Sequence, residues 1–150
     1  MRGSVMGTTV TLAAGALLTA AMTTASASPP TAAARTDAPR PALVDCTWHT
    51  NVRPTDFILA CGDGNSRLMG LHWKQWSPDA ATATGVNMVN DCTPYCAAGH
   101  FHGYPVTVRL QDPKPWKKQP GVRHYTLMTL TYARGRPDGF QQVMTYPLWD

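Results

Sequence analysis

Beyond residue 42, no apolar pattern with a period of 3.6 is sustained for three turns, whereas alternation with a period of two recurs. Phe57-Ile58-Leu59-Ala60-Cys61 is a short apolar run, and Gly62-Asp63-Gly64-Asn65 after it is a turn signal. Residues 67–73 then alternate, with Met69, Leu71 and Trp73 on one face and Leu68, Gly70 and His72 on the other. The two runs predict a hairpin. Trp76-Ser77-Pro78-Asp79 breaks the chain before a third strand over 82–90. A fourth strand over 104–111 points Val106, Val108 and Leu110 one way, and Thr107, Arg109 and Gln111 the other. Residues 112–121 hold three prolines, which cannot donate ladder hydrogen bonds, and read as a long loop. Strands over 125–132 and 140–146, separated by a turn at 134–139, close the set. The pattern predicts an all-β domain, a small disulfide-stapled β-sandwich or partly open barrel of about six or seven strands.

Composition sharpens this picture. Every acidic residue is Asp, and 13 prolines and 12 glycines cut the chain into short pieces. Asp prefers turns and caps where Glu prefers helices, so the acids agree with the strand reading. The net charge of +4 is mildly basic and is not by itself a nucleic-acid signature.

The first 27 residues read as a secretory signal peptide: Arg2, then an uncharged, mostly apolar run, then Ala25-Ser26-Ala27 as a cleavage site. Threonines and glycines dilute the run below what a spanning helix wants. Residues 28–42, rich in Pro and Ala, carry nothing large enough to bury and read as a disordered tether. A single domain over 43–150 is expected, secreted, extracellular and monomeric.

Four cysteines in an exported domain should pair, and three pairings are open. Cys46–Cys61 with Cys92–Cys96 is favoured, because Thr93-Pro94-Tyr95 can turn sharply enough to join the latter two. A four-cysteine zinc site is disfavoured, because the spacing lacks paired C-x2-C knuckles.

Catalytic constellations are scarce. The only serines after residue 42 are Ser66 and Ser77, and Leu68 stands where a nucleophile elbow requires glycine. Asp63, Asp91, Asp112 and Asp138 sit in turn-like settings rather than as paired catalytic carboxylates. Asp63-Gly64-Asn65 lacks the further ligands of a calcium loop. The sharpest chemical candidates are His100 and His102, which an extended segment would project to one side toward a metal or phosphate. A third ligand would come from His49, His72, His124 or a nearby Asp. The competing reading is two partly exposed histidines beside a loop. No cofactor is expected.

Binding is better represented. Lys114, Lys117, Lys118, Arg123 and His124 cluster around Trp116, as a patch for an anionic or carbohydrate cell-wall polymer would require. The plain alternative is a solvated loop whose tryptophan packs back on the sheet. Trp73 reads as core, and Trp48, Trp76 and Trp116 as the better surface candidates. The Cys92–Cys96 loop would also present Thr93-Pro94-Tyr95 rigidly, as a protease inhibitor does.

Four motifs stand in order: Cys-Gly-Asp-Gly-Asn at 61–65, Leu-x-x-Leu-x-Trp-x-x-Trp at 68–76, Asn-Asp-Cys-x-Pro-x-Cys-Ala-x-Gly-x-Phe at 90–101 and Tyr-Pro-Val-x-Val-x-Leu at 104–110. As a set they resemble an uncharacterised family of small secreted actinobacterial, Streptomyces-like proteins with no established activity. The resemblance covers most of residues 46–148 and implies export and a single domain. The chain is therefore expected to be a secreted, non-catalytic binding or structural module. The alternatives are a small hydrolase or metal-dependent enzyme centred on His100 and His102, and an inhibitor.

Overall fold

The computed structural model describes residues 39–149. The expected signal peptide and the tether up to residue 38 lie outside them. A two-stranded sheet pairs β1 (Leu43–Val44) with β2 (Thr50–Asn51). A second sheet carries β3 (Phe57–Ile58), β4 (Ser66–Trp76), β5 (Ala81–Asn90), β6 (Phe101–Pro115), β7 (Arg123–Tyr132) and β8 (Val143–Pro147). Its strands lie in sequence order and each pairs antiparallel with the next. The sheet curls into a half-barrel. Of the two expected architectures, the partly open barrel is the one adopted.

The concave face is built as alternation predicts. Ala81, Ala83, Val106, Val108, Leu110, Met128, Leu130 and Tyr132 are buried on it. The first and last strands approach through side chains: Trp149, two residues past β8, stacks on Phe57 of β3 with ring centroids 6.0 Å apart. Trp76 packs edge-on against Tyr125 at 5.5 Å, and its indole N–H donates to the carbonyl of Pro41 at 2.9 Å.

That contact corrects the expected boundary of the domain. Pro41 and Ala42 are buried, and Ala42 exchanges backbone hydrogen bonds with Arg123 and Tyr125. The folded unit therefore includes the last residues assigned to the tether. Small side chains gave no sign of this, because it is the Pro41 carbonyl and the Ala42 backbone that dock.

A second correction falls in β4. Strict alternation put Leu68 and Leu71 on opposite faces, yet both are buried, while Met69 is 40% exposed. A register shift between Met69 and His72 places an extra residue there, with Gly70 at φ 60°. Such a bulge needs the left-handed region that glycine occupies without strain. It also needs room opposite, and a Cβ on Gly85 would lie 2.8 Å from Leu71 Cδ2. A further shift between Trp73 and Gln75 brings Trp76 inward. Trp76 is core, not surface.

The third correction is the expected loop at 112–121. β6 runs on through Asp112-Pro113-Lys114-Pro115, pairing Pro113 with Tyr125 and Pro115 with Arg123. The amide of Trp116 donates to Val122 on the β7 side. Alternation then turns the nitrogens of Pro113 and Pro115 the other way, past the end of β5, whose pairing stops at Leu110. Prolines are tolerated where no ladder bond is asked of them.

Among the described residues, Asn87, His124 and Thr126 are the buried polar side chains. Asn87, fully buried, donates to Ser66 Oγ at 3.1 Å and to the Arg67 carbonyl at 3.3 Å, and accepts from the Tyr132 hydroxyl at 2.9 Å. All its partners are satisfied locally, as burial of an amide requires.

Candidate functional site

Both expected disulfides are present, and no cysteine is free among the described residues. Cys46 and Cys61 hold their Cα atoms 5.4 Å apart; those of Cys92 and Cys96 stand 3.6 Å apart, closer than the usual spacing. The pairing accords with an oxidising, extracellular-type environment. Among the described residues no helix is long and apolar enough to cross a membrane.

The cysteine loop is organised by its hydrogen bonds. Asn90 donates to Asn65 Oδ1 at 2.9 Å and to the Cys96 carbonyl at 2.8 Å, and accepts from the Cys92 amide at 3.1 Å. Asp91 accepts the amides of Thr93 and His100 on Oδ1, and His102 Nε2 lies 2.9 Å from its Oδ2. The His100 amide bond, the His102 ring and the Thr93 amide hold the Asp91 carboxyl well below the usual carboxylate range. His100 itself extends into solvent. The structure thus ties one histidine of the pair, His102, to an acid. Among the described residues no three His, Cys, Asp or Glu side chains gather as a metal would need. Ser66 and Ser77 bond to Asn87 and to the Ala80 carbonyl, respectively, and serve the fold.

The basic patch is rearranged. Trp116 is 4% exposed and His124 is fully buried, with their rings 6.1 Å apart inside the domain, so neither presents a face to a polymer. Arg123 is half-buried and donates to the Pro113 carbonyl, and Lys114 pairs with Asp112 at 3.0 Å. Lys117 and Lys118 remain exposed. Lys118 sits over the ring of Trp48, 4.1 Å from its centroid, and Trp48 is 45% exposed. The aromatic partner of the surface lysines is Trp48, brought from the β1–β2 turn. The sequence placed these residues 70 positions apart, and only the docking of the small sheet joins them.

A concave surface lies elsewhere. A cleft of about 470 Å³ opens between the small sheet and the β3–β4 ladder, and sequence reasoning did not assign it. Asp45 and Asn51 line one side, Ile58 and Met69 give an apolar wall, and Asp56 and Arg67 supply charge. Cys46 also lines it, so the Cys46–Cys61 bridge borders the cleft directly.

Its walls are fixed by identifiable bonds. Asp45 Oδ1 accepts the amides of Thr47 and His49 and the Thr47 hydroxyl, and Oδ2 accepts from Asn51 at 3.0 Å. Slight burial works against ionisation of Asp45, but the donors from His49, Asn51 and Thr47 outweigh it and lower its pKa to about 2. On β4, Arg67 opposes Ile58 and its guanidinium lies over Phe101 at 4.6 Å. Asp56 directly precedes β3, and the Gly70 amide reaches Asp56 Oδ1 at 3.3 Å. The only advance signal was the alternation that sets Arg67 and Met69 on one face.

Ile58 and Met69 are 47% and 40% exposed, large apolar side chains on a surface beside charges. A cleft of this size and mixed lining is what small-molecule sites offer, with apolar contact for affinity and a few polar groups for orientation. No family model, no curated protein and no solved structure matches the chain.

Proposed function

We propose that the chain is a secreted, non-catalytic extracellular binding module and that its ligand site is the β3–β4 cleft. The observation that carries this reading is the cleft itself, about 470 Å³ with an apolar wall of Ile58 and Met69 beside Asp56 and Arg67. The leader-like first 27 residues and the two disulfides support export. His102 with Asp91 supports the enzyme reading less well. The pair is exposed, and Asp91 is already committed to two loop amides.

Nuclear magnetic resonance titration of the isotopically labelled mature chain tests this. Panels of amino acids, sugars, nucleotides and soluble wall polymers are added in turn. Ligand-induced shifts centred on Ile58, Arg67 and Met69 are expected for one class. Shifts confined to Trp48, Lys117 and Lys118 would instead favour polymer binding at the surface. Shifts centred on His102, or turnover of an added compound, would reverse the reading toward an enzyme. Export is tested by expressing the full chain and sequencing the N-terminus of the protein found in the medium.

A further inference from the structure

Arg67 and Asp56 form no ion pair, with each other or with any other described residue. Arg67 pairs with Ile58, and Asp56 directly precedes β3, so carrying the register on by one residue sets the two a diagonal apart, a spacing of roughly 7–8 Å between backbones. Opposite charges so placed on a surface ordinarily close on one another or are left to water. Here the guanidinium is instead held over Phe101, 4.6 Å from the ring centroid. That contact engages no N–H group in a hydrogen bond, so the guanidinium can still donate to a planar carboxylate in bidentate fashion. Asp56 receives one bond on each oxygen, from Gly70 N at 3.3 Å and Thr55 Oγ1 at 3.0 Å. A carboxylate has about four lone-pair sites, so each oxygen retains acceptor capacity for an ammonium.

We propose that the cleft binds a free α-amino acid with an apolar side chain. The inference rests on the cleft being the ligand site. Arg67 holds the α-carboxylate, Asp56 holds the α-ammonium, and the side chain lies on Ile58 and Met69. The short span between the two residues selects a ligand whose opposite charges sit on two groups bonded to one carbon. A peptide separates its terminal charges by at least one residue and fits this spacing less well. Asp45, across the cleft, contributes negative potential; its Oδ1 already accepts three bonds from Thr47 and His49, and its Oδ2 accepts one from Asn51. The local balance of two carboxylates and one guanidinium disfavours a ligand with an anionic head alone.

Isothermal titration calorimetry of the mature chain with L-leucine, N-acetyl-L-leucine and L-leucinamide tests the assignment. Leucine is expected to bind, and each blocked derivative to bind about tenfold more weakly or worse, since each lacks one charge-assisted contact. Arg67→Gln should abolish the preference for leucine over leucinamide while keeping the preference over N-acetyl-leucine. Asp56→Asn should do the reverse. Both residues are on the surface, and unchanged melting temperatures of the variants confirm that folding is intact. Failure of leucine to bind, or equal binding of the blocked forms, overturns the assignment. If another ligand class still shifts Ile58 and Met69 in the magnetic resonance titration, only the amino-acid assignment falls and the binding-module reading stands. If nothing shifts them, both fall.

Discussion

The Cys46–Cys61 bridge joins residues 15 apart and ties the β1–β2 sheet to the end of β3, whereas Cys92–Cys96 joins residues four apart in the connection between β5 and β6. The first bridge borders the cleft and joins two walls that no strand pairing connects. The second lies in a loop already fastened by Asn90 and Asp91. A staple shapes a site when it spans separate elements. Within one loop it adds to order that side-chain hydrogen bonds already supply. Chemical richness in a short stretch of sequence is therefore a poor guide to where the concave surface lies.

The largest expected effect tests this contrast directly. Cys46→Ser with Cys61→Ser should cost about 3 kcal/mol by loop entropy and lower the melting temperature by on the order of 10 °C or more. Cys92→Ser with Cys96→Ser should cost less, at most about 2 kcal/mol, because its loop is shorter and otherwise bonded. Paired thermal melts measure both. Equal losses would show that the two bridges play the same part.

Tyr132→Phe probes the floor behind β4. It leaves Asn87 Oδ1 buried without its hydroxyl donor and should cost about 1–3 kcal/mol, read by denaturant titration. Because Asn87 also holds the Arg67 carbonyl, resonances of Arg67 and Leu68 should move more than those of the cysteine loop.

Acid should act on the small sheet. The folded pKa of Asp45 is depressed from 3.8 to about 2, so its stabilising contribution is complete above pH 3.8 and is lost as pH falls toward 2. The wild type should lose melting temperature through that window, and Asp45→Asn should lose less. Parallel slopes would remove Asp45 as the organiser of the β1–β2 turn.

The smallest effect belongs to the cysteine loop. His102→Asn removes an exposed pairing with Asp91 and should shift the melting temperature by only a few degrees at most. Leucine affinity should be unchanged. A marked loss of binding would place the ligand beside the loop and erase the distinction between the two regions.

Much of the fold was legible in local pattern, and the exceptions have physical causes. The concave face of β6 and β7 follows from strict alternation at Val106, Val108, Leu110, Met128 and Leu130. Alternation failed at β4, where the bulge at Gly70 depends on a glycine 15 residues away, Gly85, to leave space. The burial of Trp116 and His124 was hidden because a proline-rich stretch read as a loop continues the strand. The candidate site was nearly invisible. Asp45 follows β1, Asp56 precedes β3 and Arg67 lies in β4, each with an ordinary local role.

The sequence by itself determined that this is a β domain with two disulfide bridges, because side-chain periodicity, turn residues and cysteine spacing are properties of neighbouring positions. Tertiary structure alone decided that Pro41 and Ala42 belong to the core, that Trp48 rather than Trp116 meets a surface lysine, and that Asp56 and Arg67 share a cleft. These depend on strand register and on the docking of one sheet against another. Both are set by the packing of the whole core, and no short stretch of the chain contains it.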